Sequence, residues 1–175
     1  MSITETTIPS GTWSVDKIHS SVGFAVDYLA GTFQGSFGNF DAEVRDGELS
    51  GSARVDSVQV KLPDLAAHLQ APDFFDAQRY PEFTFESREI EREGNRLQID
   101  GQITIKGHTE PVHIEGLISE PIQDPYGGER FGLKLEATVD RTLFGVSWNN
   151  ALPNGKPALS NDVRLTADLQ LSKQD

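Results

Sequence analysis

Apolar residues fall at every second position in five long rows of this chain, and each row carries a glycine or alanine near its middle. The rows run Leu49, Gly51, Ala53, Val55; Leu97, Ile99, Gly101, Ile103, Ile105; Val112, Ile114, Gly116, Ile118; Phe131, Leu133, Leu135, Ala137, Val139; and Val163, Leu165, Ala167, Leu169, Leu171. A period of two places the members of a row on one face of a β-strand. Many such strands with no long helical stretch predict sheets that close on themselves. Glycine inside a strand weakens it, so its recurrence on the apolar face needs a cause. One cause is space for an apolar guest at the waist of a barrel. The other is backbone geometry, with glycines bending strands at barrel corners or making room for large aromatics packed opposite.

Shorter strands complete the pattern. Trp13 and Val15 start one, and Asp16-Lys17-Ile18-His19 reads as a turn or a single helical turn. Val22, Phe24, Val26 and Tyr28 alternate up to Gly31, and Phe33, Gly35 and Phe37 follow. The parity of the apolar row changes at Gly38-Asn39, which predicts a bulge before Phe40, Ala42 and Val44. Asp46-Gly47 is a two-residue hairpin signal. Residues 61–80 break the period. Leu62, Leu65 and Leu69 lie three and four apart with Pro63 near the start, which predicts a short amphipathic helix. Pro72–Ala77 predicts a second helical turn, ended at Tyr80-Pro81. The expected fold class is all-β, an eight-stranded antiparallel barrel with a short helical insertion. Eight strands enclose an interior that either just fills or holds one small ligand.

A chain of 175 residues fits one domain. Residues 1–10 are polar and expected to be loose, leaving 11–175 as the single domain. With no cysteine, disulfides and thiolate metal sites are excluded. The first residues have neither a basic start nor an apolar core, so no signal peptide is read and a cytoplasmic location is expected. No apolar run reaches membrane-spanning length, so no stable membrane insertion is expected. A formal net charge of −12 repels phosphate backbones and argues against nucleic acid as a partner, while an apolar small molecule stays open.

Several segments resemble the YceI-like family. They are Trp13–Ser20 followed by Val22 and Phe24; Ala67–Asp76 with Arg79-Tyr80-Pro81 and Phe83-Thr84-Phe85; Gly101–Thr109; and Asp140-Arg141-Thr142-Leu143-Phe144-Gly145-Val146. They occur in the family's order over nearly the whole chain. The resemblance implies a lipocalin-like barrel that takes a long isoprenoid, a polyprenyl phosphate or a quinone tail, into an elongated cavity. Relatives often have a signal peptide, and a basic residue where this chain has Ala66-Ala67 or Gln70. The second departure favours a neutral quinone or isoprenoid over a phosphorylated ligand. No cofactor is required on this reading.

The candidate lining is Phe24, Phe33, Phe37, Phe40, Phe74, Phe75, Phe83, Phe85 and Trp148, with Gly101 and Gly116 as the residues that leave room. The competing reading of the same aromatics is a dry core. Leu65 and Leu69, with Leu62, Phe74 and Phe75, make an apolar flap, either a plain plug of one barrel end or a mobile entrance. Arg141 ends an apolar row beside Asp140, as an ion-paired rim residue or as a partner for a polar head. His68 shares the helix with the leucines, solvated or facing that head. His19, His68, His108 and His113 lack metal-ligand spacing, and no nucleophile elbow or phosphate loop appears, so neither a metal site nor catalysis is expected. The rival reading is a structural or interaction module with a packed core, forming a homodimer through an edge or the lid.

Overall fold

The computed structural model describes residues 8–149 and 151–174. The segment expected to be loose falls outside them up to residue 7; Ile8 is buried in the core, and the carbonyl of Ser10 accepts a hydrogen bond from Trp13 Nε1 at 3.0 Å. The strands are β1 (Thr12–Val15), β2 (Ser21–Tyr28), β3 (Gly31–Phe37), β4 (Phe40–Arg45), β5 (Glu48–Arg54), β6 (Val58–Gln59), β7 (Glu82–Glu93), β8 (Arg96–Ile105), β9 (His108–Ile118), β10 (Ile122–Gln123), β11 (Glu129–Asp140) and β12 (Leu159–Gln174). The helix α1 (Pro63–Leu69) interrupts them between β6 and β7. No helix among the described residues is long and apolar enough to cross a membrane.

All the pairings are antiparallel, and they form one sheet that closes on itself. Closure runs through β12, which carries β11 on one edge and both β2 and β1 on the other. β1 and β2 lie end to end along that edge, and β3 and β4 lie end to end against them. β6 extends β5 against β3, and β10 extends β9 along β11. Counted as continuous staves these make a closed eight-stranded antiparallel barrel with very little helix.

Local chemistry explains the joints. Asp46-Gly47 takes the two left-handed conformations of a tight hairpin, φ 51° and 84°. The break between β3 and β4 falls at Gly38-Asn39, where Gly38 N–H donates to Ser57 O and Asn39 O accepts from Arg54 N–H instead of continuing the ladder. A second irregularity, between Ser87 and Glu89 in β7, has no mark in the apolar pattern. In α1, Leu65 and Leu69 turn to the barrel and Leu62 precedes the first turn. Residues 71–80 form linked turns rather than the expected helical turn. Phe74 and Asp76 both donate to Ala71 O, and the left-handed Asp76 (φ 51°) stops further winding.

Along its axis the barrel has two unlike halves. One end is filled by Trp13, Val44, Leu97, Ile99, Phe131, Leu133 and Leu171, all almost completely buried. There Trp13 and Phe131 meet edge to face at 4.7 Å. Towards the other end, the same rows pass through Ala137, Ala167 and Ala53 and enclose a void.

Candidate functional site

The void is a cavity of about 510 Å³ whose walls come from every long stave and whose lid comes from α1 and the turns after it. That volume lies in the range of small-molecule sites. Small residues on its walls give it room across the ladders. Leu135 faces Ala167, Ala137 faces Leu165, and Ala42 faces Gly51 across their ladders. Its floor is Leu49, Leu135 and Leu169, below which the packed half begins. The cavity is blind rather than a tunnel.

A string of aromatic rings follows the wall and crosses to the lid. Phe33, Phe24, Phe37, Phe83, Phe75, Phe74 and Trp148 touch in that order, with centroid distances from 5.0 to 6.4 Å. His68 sits edge-on to Phe74 at 4.8 Å and to Trp148 at 5.2 Å, and its Nε2 lies 2.9 Å from Asp73 Oδ2. The His68 hydrogen bond holds the Asp73 carboxyl below the usual carboxylate range. Tyr28 and Leu62 both line the cavity and face solvent, Leu62 with 64% of its surface exposed, so the mouth lies between the β2–β3 turn and the start of α1.

Arg141 is neither a rim residue nor ion-paired. It is buried, its Nε donates to Ser160 O at 2.9 Å, and its Nη1 donates to Val146 O at 2.8 Å and Trp148 O at 2.9 Å. The guanidinium thus folds the segment after β11 back on β12 and sets Phe144, Val146 and Trp148 into the cavity wall. Its Nη2 is buried with no acceptor. Burial pushes the guanidinium below its ordinary pKa, while Asp140 beside it works the other way.

The β8–β9 turn clasps the lid. Lys106 Nζ donates to Pro72 O at 2.7 Å and to Gly145 O at 3.3 Å, tying the turns after α1 to the turn after β11. The Tyr80 ring lies over Gly107, and the His108 ring lies over Gly145. The sequence marked Lys106 only as a member of the Gly101–Thr109 segment.

Of the residues expected to line a cavity, Phe24, Phe33, Phe37, Leu65, His68, Leu69, Phe74, Phe75, Phe83, Phe85, Arg141 and Trp148 border the void together. Three stand elsewhere. Phe40 is buried opposite Ala53 at the bent junction of β3 and β4, outside the walls. Gly101 and Gly116 do not open the cavity, because neighbours occupy the place of their missing side chains. At Gly101 these are Glu86 O and the Phe85 ring; at Gly116, Lys134 O and Leu135 Cδ2. Ala42, Gly51, Ala53, Ala137 and Ala167 bound the void instead. Among the described residues, no group of three or more His, Asp or Glu side chains is placed to hold a metal ion.

A family model described as YceI-like domain matches residues 13–171. The protein YceI of Salmonella newport is 28% identical over 145 residues, covering 77% of this chain and 76% of the relative. The crystal structure of Burkholderia cenocepacia BcnA superposes with a TM-score of 0.77 at 22% identity, over 89% of this chain and 98% of that one. A polyisoprenoid binding domain from Saccharophagus degradans gives a TM-score of 0.71 at 10% identity, over 93% of this chain and 98% of that one.

Proposed function

The chain belongs to the YceI-like domain family, and from that premise we propose that its barrel holds one long apolar ligand of the isoprenoid type, a polyprenyl chain or the tail of a quinone, for carriage, storage or sequestration. The observation that carries the proposal is the blind cavity of about 510 Å³ with its aromatic wall, set in a fold whose other half is packed solid. The similar domain from Saccharophagus degradans, a polyisoprenoid binding domain, supports the same class of ligand.

Each methylene moved out of water contributes about 0.8 kcal/mol. A tail burying about ten of them gains roughly 8 kcal/mol before the cost of association, with no polar contact needed. The head group is assigned to the lid end, beside His68 and Trp148. A neutral head is favoured because Lys106 is held by two carbonyls and Arg141 by three, which leaves only the buried Nη2 of Arg141 without an acceptor. No catalytic role is proposed. The four histidines each have a partner: His19 with Asp16, His68 with Asp73, His108 with the Lys106 carbonyl and His113 with Asp100.

Organic extraction of the purified protein followed by mass spectrometry tests the proposal. One isoprenoid or quinone per chain is the expected result. A protein that extracts empty and also rejects quinones in titration overturns the proposal in favour of a structural module.

A further inference from the structure

Three glycines of the inward rows have a neighbour's side chain where their own Cβ would stand: Phe24 at Gly35, Phe85 at Gly101 and Leu135 at Gly116. All three visitors line the cavity. At Gly101 and Gly116 a backbone carbonyl of the adjacent strand crowds the same spot, so glycine there serves the approach of two strands. Gly35 differs. Every close atom belongs to a side chain, with Phe24 Cζ at 2.6 Å, Phe24 Cε1 at 2.7 Å and Val60 Cγ1 at 2.9 Å from the Cβ position.

We infer that Gly35 is a positioning residue that sets the bore of the cavity by seating Phe24 against the wall, and so governs whether a methyl-branched chain can enter. Gly35 and Phe24 are ladder partners on β3 and β2 and share the inward face. A Cβ at position 35 therefore points into the barrel beneath the ring. Sideways movement is blocked by Phe33 and Phe37, whose rings stand 5.8 and 5.7 Å from that of Phe24. The cavity is the space left for the ring to move into. A chain with regular methyl branches is wider than a straight one, so it loses its fit first. The inference rests on the proposed filling of the cavity by an apolar chain.

The test compares wild type, Gly35→Ala, and Gly35→Ala combined with Phe24→Leu, since leucine lacks Cζ and Cε1, the two nearest of the three colliding atoms. Binding of geranylgeraniol and of the straight-chain alcohol of equal backbone length is read from the fluorescence of Trp148, one of two tryptophans and the one in the cavity wall. Gly35→Ala is expected to weaken the branched alcohol about tenfold or more while changing the straight one less than about threefold, and the double variant to recover the branched alcohol. Equal loss of both alcohols, no loss of either, or no recovery in the double variant overturns the inference.

Should Gly35→Ala fail to fold, a double variant that folds and binds the branched alcohol supports it, and one that also fails overturns it. Should wild type bind neither alcohol, the functional reading falls on its own. A crystal structure of Gly35→Ala then decides the role of Gly35. The Phe24 ring moved into a smaller cavity upholds it, and the ring in its present seat overturns it.

Discussion

At the level of Trp13 and Phe131 the barrel is full; a little further along the same strands, at Ala137 and Ala167, it is empty. Both halves share one backbone architecture, one ladder and one apolar alternation. They differ in whether the inward side chains meet across the middle, and that difference separates stability from capacity. The packed half supplies the cooperative core, where every removed methylene leaves a hole. The hollow half forgoes those contacts and depends on the packed half, the lid and the clasp to keep its shape.

The sharpest break of this comparison is a truncation in the packed half. Phe131→Ala is expected to cost about 3–5 kcal/mol in denaturant unfolding. Phe83→Ala, facing a void already present, is expected to cost only about 1–2 kcal/mol, because little new cavity is created, while apolar binding weakens. Equal costs at the two positions would show that the halves are energetically alike.

Smaller still is Lys106→Met. It removes two hydrogen bonds to exposed carbonyls and should shift stability by about 1 kcal/mol or less. Its expected signature is kinetic: ligand association and dissociation both speed up in stopped-flow traces while the equilibrium affinity holds.

An effect that leaves the cavity untouched concerns the outer wall. The hydrogen bonds of His19 and Arg130 hold the Asp16 carboxyl well below the usual carboxylate range. Asp16 therefore contributes stability that is present above its unfolded pKa of about 4 and is lost as pH falls towards the depressed folded value. Asp16→Asn should flatten the acid limb of a stability–pH curve between about pH 4 and pH 2 and leave ligand binding at neutral pH untouched.

The alternation of apolar residues carried most of the architecture, because inward and outward positions are a property of the strand itself. Leu62, Leu65 and Leu69 likewise marked α1 through their spacing. What the pattern does not record is axial level. Ala137 and Leu133 look equivalent within a row, and only the register with β12 shows one beside the void and the other in the packed end. Glycine was ambiguous for a related reason. A missing Cβ reads the same whether it makes way for a ligand, for the Phe24 ring or for the carbonyl of Glu86. Arg141 was legible as a charge at the end of a row, yet its role depends on three carbonyls of segments that approach it only after folding.

The strand that shuts the ring comes after all the others in the chain, and it must find partners far upstream, with Asp168 set against Ser21. Such distant pairing is slow to form. Without that strand the ring is open and the apolar inner face of the remaining sheet is turned to water. A compound that favours the closed barrel draws that equilibrium forward by mass action. Growth medium supplied with the right isoprenoid would then raise the yield of intact protein, a benefit felt during synthesis as much as afterwards.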